Sequence, residues 1–523
     1  MKYYMRIIIA LISPCILAKQ TTQLQNQKGD VEIFEKEDIE ERNIKKEVKV
    51  TKTEEKIPSS WNLNKEGYHE FLDEINQTKL ELNGTISTGL IKVQNSNFGA
   101  GSVDAKNAHI VNQNPLWSEY VFTPRIRFAV GLDNKSIAYG RLSSVGATTR
   151  GQGDASAIST TVRRPTLVAY EEVVAGWKSG ELTSTPDLVD ISFGQQCFTA
   201  GDGFVLGLGT VNAYKRAAFF LGPRSAFKDT AVLAINPLPA KAQIFHLRTN
   251  TNQQLLFNTD QPKTSIYGAY IEYASMDPKK KESKYWNAGL ILMKFYKADK
   301  EASDPSQKNR DGLLVINPMI GGNFFPNNRD IRFHAGCVYQ KNNKIGQKTK
   351  AYAYYLEPGY TFSNLWGSPL LFYRYSHFSG DSAGSVKKSY DPLMFACGTR
   401  DGYGTWETGQ IQSSFYFSNT NQNVHNVQLK LTPSDKYVFG VQYFHINFDK
   451  LYQYNIKSKA GSRELDAYFT WTPNDYVSLT AIGGILKPKS GIKQYTIANS
   501  NSVSPSKIGK TVYMLGLMLT YTL

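Results

Sequence analysis

The chain has 523 residues and a formal net charge of +15, and 41% of its residues are hydrophobic, with 31 Tyr and 27 Phe. After the N-terminus, no stretch reaches about 18 consecutive apolar residues, which excludes a transmembrane helix. A membrane protein of this composition must therefore cross the bilayer with strands, in which only alternate residues face lipid.

The N-terminus has the pattern of a secretory signal. A basic start precedes an apolar run that ends at Ala18, and this run is too short to span a membrane. We predict that residues 1–18 are a signal peptide and that cleavage follows Ala18. The alternative is a lipoprotein in which Cys15 is acylated, although Pro14 directly before it fits that processing poorly.

A charged segment follows the signal. Residues 28–57 carry 8 Lys and Arg against 10 Asp and Glu, a composition typical of a solvated chain without a core. We predict that residues 19–65 form a disordered periplasmic segment, with a periplasmic partner as one interpretation, and that residues 66–523 form the barrel. Residues 58–523 hold 49 basic and 35 acidic residues, so the positive charge belongs to the barrel.

Cysteine usage points away from disulfides, metals and cofactors. Removal of the signal leaves Cys197, Cys337 and Cys397, an odd and widely spaced set that is no disulfide framework. None of them has metal-ligand spacing to another Cys or His. We predict no cofactor, no metal and, for an exported chain, no nucleic-acid partner.

From Leu80 onward, about eighteen to twenty strand-like segments alternate with clusters of turn residues. In the last segment, Tyr513, Leu517 and Tyr521 share an apolar face, and the two tyrosines would lie roughly 26 Å apart, one near each membrane interface. A soluble sandwich would also end on an alternating strand. With the signal peptide, the pattern favours an all-β fold, a transmembrane antiparallel β-barrel of about 18 strands in an outer membrane.

Alternation places ionisable side chains on the face opposite the apolar stripe. Thus Ile126 and Phe128 oppose Arg125 and Arg127, and the same reasoning assigns other residues to the interior: Arg248 with His246, Arg332 with His334, Lys430, Glu464 and Asp466. A lumen rich in arginine would concentrate anions and repel cations. The alternative is that these arginines pair with the acids and brace the barrel wall.

Several segments in the second two thirds of the chain resemble the alginate-export family of outer-membrane porins. The resemblance covers roughly residues 180–523 and is carried by DISFGQQCFTAGDGF (190–204), RAAFFLGPRSAFKDTAVL (216–233), GYTFSNLWGSPLLFYRYSHFSGDS (359–382), YDPLMF (390–395), WETGQI (406–411), NTNQNVHNVQLKLTPSDKYVFGVQYF (419–444) and RELDAYFTWTPNDYVSLTAIGGIL (463–486). The first 180 residues match less well, and the chain ends in Leu523 rather than an aromatic residue.

This resemblance implies an eighteen-stranded monomeric barrel whose electropositive lumen passes an anionic polysaccharide or another anionic solute. We also expect contact with outer-membrane lipid and lipopolysaccharide. The resemblance also implies that a set of motif residues lines or shapes the pore: Arg224, Arg374, Tyr375, Asp381, Asp391, Glu464 and Asp466.

Two other functions fit parts of the pattern. A basic barrel of this size without a plug domain also resembles siderophore or iron uptake porins, because many ferric siderophores are anionic. A remote alternative is a phospholipase-like hydrolase, since His377 and Ser379 share a strand face and resemble the base and nucleophile of outer-membrane phospholipases.

Overall fold

The computed structural model describes residues 78–104, 110–182, 187–209, 216–237, 239–249, 264–276, 284–298, 309–325, 328–396, 405–499 and 504–523. The predicted signal peptide, the charged segment 19–65 and Cys397 lie outside these residues. The first described strand begins at Thr78, close to the predicted start of the strand pattern.

Within the described residues, eighteen antiparallel strands form one sheet. The strands are β1 Thr78–Gln94, β2 Leu116–Gly131, β3 Ile137–Gly151, β4 Thr166–Lys178, β5 Val189–Gln196, β6 Phe227–Ile235, β7 Ala240–Arg248, β8 Ser265–Met276, β9 Lys284–Lys297, β10 Leu314–Gly322, β11 Ile331–Asn342, β12 Thr349–Thr361, β13 Leu370–Phe378, β14 Gln422–Ser434, β15 Tyr437–Phe448, β16 Ala460–Asn474, β17 Val477–Pro488 and β18 Val512–Thr522. Each strand pairs with its neighbours in the chain, which is the meander expected of an up-and-down barrel.

The sheet closes on itself through β1. Thr85 is paired with Thr123 of β2 on one side and with Thr522 of β18 on the other. The backbone N–H of Leu523 also donates to the carbonyl of Gly84 (2.8 Å). Closure leaves no open sheet edge, which is what lipid demands of a spanning sheet, and it confirms the predicted antiparallel barrel and its strand number.

The connections at the two ends of the barrel differ in length. One end carries short turns, such as the one after Asn474, whose Oδ1 accepts the backbone N–H groups of Tyr476 and Val477 (both 3.0 Å). The other end carries the long segments 197–226, 379–421 and 489–511. Outer-membrane barrels have short periplasmic turns and long extracellular loops, so this asymmetry sets the orientation used below.

The outward face is apolar and exposed. On β18, Leu515, Leu517 and Leu519 are 65%, 48% and 44% exposed, while Met514 and Met518 on the other face are buried. Tyr513 and Tyr521 flank this stripe. Because so much contiguous apolar surface is unfavourable in water, the wall is a lipid-facing surface.

Two α-helices occur in the described part of the chain, α1 Ile158–Val162 and α2 Ser490–Asn499. Neither has the length of a membrane-crossing helix. Helix α2 follows β17 and buries Ile492 completely, while the Tyr495 ring packs on Phe417 with centroids 5.3 Å apart.

Two long extracellular connections fold into the barrel. We call the described residues 197–209 and 216–226 the first inner loop, and the described residues 379–396 and 405–421 the second inner loop. They touch each other, since the N–H of Gly207 donates to the carbonyl of Met394 (2.8 Å) and the rings of Phe220 and Phe415 stack with centroids 6.2 Å apart. The barrel interior therefore holds a packed core as well as polar wall residues.

This core corrects one face assignment made from the sequence. In β7, Phe245 and Leu247 are buried against the inside, and Phe245 packs on Phe198 of the first inner loop with ring centroids 5.0 Å apart. The opposite face carries Ile244, which is 58% exposed, together with Arg248. The prediction that Arg248 points inward is wrong, because the inner loop provides an apolar surface that inverts the usual polarity of the strand.

A buried ion pair ties the second inner loop to Arg310, which lies shortly before β10. Arg310 donates Nε and Nη2 to the two carboxylate oxygens of Asp391 (2.8 and 2.7 Å), and both residues are buried. Burial alone would raise the pKa of the Asp391 carboxyl, but Arg310, then Lys387 and the Leu393 N–H, hold that pKa below its ordinary value. The carboxylate is thus ionised at neutral pH.

The outward apolar stripe predicts that an introduced charge destabilises the barrel most at the middle of the bilayer. Leu517→Arg, midway between Tyr513 and Tyr521, should reduce the free energy of unfolding in lipid by about 2–4 kcal/mol, because the cation is placed at the middle of the bilayer. Leu523→Arg, on the same face beyond Tyr521, should cost about 1 kcal/mol or less. Reversible urea titration in vesicles measures both, and equal costs would contradict the membrane placement.

The Arg310–Asp391 pair predicts a pH-dependent stability difference. Asp391→Asn should lower the free energy of unfolding at pH 7 by about 3–5 kcal/mol, since Arg310 loses its bidentate carboxylate. Because the folded pKa is depressed, the stabilisation is complete above the unfolded value of about 4 and disappears as the pH falls through the folded pKa.

Thermal unfolding of the two proteins at pH 7 and pH 3 tests this. The difference between their melting temperatures should be largest at pH 7 and smaller at pH 3. Asp381→Asn is the matched control from the same loop. Asp381 is less buried and, among the described residues, accepts hydrogen bonds from the backbone N–H groups of Ser382 and Lys388 (3.1 and 3.0 Å). A difference for Asp391→Asn that is as large at pH 3 as at pH 7 would refute the assignment.

Candidate functional site

A cluster of arginines lies on the inward wall near the periplasmic end. Arg125 and Arg141 approach the carboxylate of Glu172 at 3.7 and 3.6 Å, and Arg127 approaches Glu81 at 3.9 Å. We call these five residues the arginine cluster. Within the described residues, three cations share two carboxylates, which leaves an excess of one positive charge.

The register of β1, β2 and β3 builds this cluster. Arg127 is paired directly with Glu81 on one side and with Arg141 on the other. Like charges at directly opposed positions destabilise a sheet, and the nearby carboxylates offset only part of that cost at these separations. The side chains of Arg125 and Arg127 are 30% and 24% exposed, so they can meet a solute in the interior.

Sequence reasoning found Arg125 and Arg127 but missed Arg141. In β3 the outward positions include Ala138 and Gly140 as well as Leu142, so the apolar stripe is too weak to assign a face. Only the neighbouring strand, where Phe128 lies opposite Gly140, reveals which side faces lipid.

A second set of arginines is buried and braced against the wall. Arg374 donates Nε to Glu357 (2.5 Å), donates to the carbonyl of Thr405, and lies 4.7 Å above the Trp406 ring. Arg332 is buried near the same carboxylate, at 3.8 Å. These contacts agree with the alternative interpretation from the sequence, in which arginines of the lumen pair with acids of the barrel wall.

Arg224 holds the first inner loop in the same manner. Its Nε donates to Glu171 (3.1 Å), and the same carboxylate accepts the backbone N–H groups of Ser225 and Ala226 (2.6 and 2.9 Å). On β2, Glu119 accepts the N–H groups of Phe220 and Leu221 (3.0 and 2.8 Å). Two wall carboxylates therefore hold backbone amides of this loop.

Glu464 and Asp466 do the same for the second inner loop. Glu464 accepts the N–H groups of Ile411 and of Gln412 (3.1 Å), and Asp466 accepts that of Gln410 (2.9 Å). Gly409 makes the close approach possible, because it has φ of +95° and a side chain there would collide with Glu464. Both carboxylates face inward but are covered by the loop.

The remaining predicted pore residues have other surroundings. Lys430 lies on the inward face of β14 and is partly exposed. Arg248 lies on the outside and pairs with Asp229 (3.2 Å). Asp381 and Asp391 belong to the second inner loop, as described above. Whether any of these residues lines the solute path stays a prediction.

His377 and Ser379 are each bound to other groups. The His377 ring stacks on Tyr352 and Tyr354 (both centroids 5.1 Å), and its Nδ1 bonds to Asn423 (2.7 Å). Ser379 donates to the carbonyl of Lys388 (2.7 Å) and accepts the N–H of Tyr352 (3.0 Å). A nucleophile needs a hydrogen bond to its base, and these contacts do not provide one. In the described residues, no group of three His, Cys, Asp or Glu side chains could hold a metal ion.

The fold is similar to solved barrels from two bacteria. Acinetobacter baumannii OccAB2 superimposes with a TM-score of 0.52 at 10% identity, covering 87% of this chain and 98% of that chain. Pseudomonas aeruginosa OccK11 (OpdR) gives 0.49 at 8% identity, covering 87% and 99%. The outer membrane protein OpdK from the same organism gives 0.49 at 8% identity, covering 85% and 98%.

Sequence comparisons give no family. No family model matches the chain, and no curated protein matches it. The resemblance to the alginate-export family is therefore wrong, because no family model matches the chain and the fold is similar to that of OccAB2, which is not an alginate-export protein. What the comparison with OccAB2 supports is the β-barrel fold itself.

Proposed function

We propose that this protein is a passive outer-membrane channel for small anionic solutes. The observation that carries the proposal is the arginine cluster, which places partly exposed cations on the inward wall with fewer carboxylates than arginines. A positive wall raises the local concentration of anions and lowers that of cations. Passage then follows the concentration gradient of the solute.

The geometry of the cluster suits transient binding. Arg125 and Arg127 stand 3.7 and 3.9 Å from their carboxylates, outside the range of a strong charge-assisted hydrogen bond. A solute carboxylate can therefore bind a guanidinium without first breaking a tight ion pair. Weak binding at successive arginines is what conduction needs, since a tightly held ion would not leave.

The inner loops favour small solutes over large ones. They meet inside the barrel, where Phe204 packs on Trp406 with ring centroids 4.8 Å apart and Leu206 forms a bridge with Met394. Loops packed across the lumen narrow the aperture below the full width of eighteen strands. Passage of a bulky ferric siderophore would require these contacts to open.

The proposal predicts anion selectivity that depends on the arginine cluster. Planar-bilayer recording in a salt gradient should give a reversal potential showing preference for chloride. The triple variant Arg125→Gln, Arg127→Gln, Arg141→Gln should move that potential towards non-selectivity, because it removes three cations and leaves Glu81 and Glu172.

Arg248→Gln is the matched control, since Arg248 is outside the barrel. Its reversal potential should equal that of the wild type. Cation preference in the wild type, or an unchanged potential in the triple variant, would overturn the proposal. Liposome swelling with small monocarboxylates and with a ferric siderophore separates the two solute classes, and faster entry of the siderophore would favour the uptake alternative.

A further inference from the structure

A transverse row of basic residues crosses the outward face of four strands. His425 of β14 is paired with His445 of β15, His445 with Arg463 of β16, and Arg463 with Lys487 of β17. Arg463 and Lys487 are exposed and the two histidines partly so. We call this row, together with Lys489 and Lys493, the outer cationic surface.

The row concentrates positive charge at directly opposed positions. Arg463 donates its Nε–H to Nδ1 of His445 (3.4 Å). On its other side Arg463 is paired directly with Lys487, and like charges placed opposite each other destabilise a sheet. Within the described residues, Arg463 and Lys487 form no ion pair with a carboxylate, since Glu464 points inward. The repulsion between Arg463 and Lys487 is therefore not offset by a carboxylate of the described wall.

The chain on either side adds cations and no acids. Residues 451–463 hold two lysines besides Arg463, and residues 485–511 hold five lysines; neither segment contains Asp or Glu. Lys450, just before the first segment, pairs with Asp449 (3.4 Å). Arg463, then burial, then Lys487 and Lys493 lower the pKa of Lys489. A strong positive potential therefore covers this side of the extracellular rim.

The row lies at the depth of the lipid head groups. Tyr443, Leu465, Ile485 and Tyr513 form the next outward row towards the membrane centre. Since that row contains the tyrosines of the interface, the cations sit about 7 Å beyond it on the extracellular side. At this depth, the groups that face a barrel wall from outside belong to lipids.

We propose that the outer cationic surface binds the phosphate groups of outer-leaflet lipid. Exposed Arg and Lys side chains without carboxylate partners attract phosphate, and Arg can contact it with two parallel hydrogen bonds. The Tyr373 hydroxyl bonds to Nδ1 of His425 (2.7 Å), which fixes one ring of the row. This inference rests on the orientation of the barrel and is independent of the transported solute.

Native mass spectrometry of the full-length mature protein in detergent tests the proposal with bisphosphorylated lipid A as the probe. Each cation near an anionic lipid surface contributes a factor of about five in affinity. The double variant Arg463→Gln, Lys487→Gln should therefore bind lipid A about thirtyfold more weakly than the wild type. Binding by the wild type should also weaken with added salt.

Arg248→Gln is the matched control, because Arg248 is an outward residue at the extracellular end of β7 whose charge is already paired with Asp229. It should bind lipid A as the wild type does. A gel-mobility shift on heating verifies that every variant is a folded barrel. The proposal is overturned if the double variant retains wild-type affinity, or if lipid A stripped of phosphate binds equally well. If inorganic phosphate raises the melting temperature as much as lipid A does, the proposal is also overturned, since the site would then bind free anions.

Discussion

Wall carboxylates that accept backbone N–H groups of the inner loops are the interaction on which the interior depends. A loop inside a barrel carries peptide groups that must find partners, because an unsatisfied buried donor costs about 1–3 kcal/mol. Glu119 and Glu171 provide acceptors for the first inner loop, and Glu464 and Asp466 for the second. Each of these acidic side chains is itself buried and accepts hydrogen bonds from the loop amides.

This arrangement divides the interior charges into two kinds. Arg224 and Arg374 are buried, bind carboxylates closely and hold the loops in place. Arg125 and Arg127 are looser and partly exposed, which leaves them able to meet a solute. Both interpretations of the lumen arginines therefore apply, but to different residues. Some arginines pair with wall carboxylates, and others remain accessible to anions.

The barrel could be predicted from the sequence because each lipid-facing strand must repeat the same two-residue period. The last strand showed this with Tyr513, Leu517 and Tyr521, and the structure has that pattern. The interior could not be predicted as well. Arg248 was misassigned because an inner loop buries Phe245, and the role of Glu119 depends on residues about one hundred positions away. Strand periodicity carries no information about which loops fold inward.

Single-channel conductance tests the central claim, that wall carboxylates hold the inner loops across the lumen. Glu119→Gln combined with Glu464→Gln removes one anchor from each loop, since a neutral amide is a weaker acceptor than a carboxylate. The account predicts a larger and more variable conductance than that of the wild type. A double variant with the conductance and noise of the wild type would contradict it.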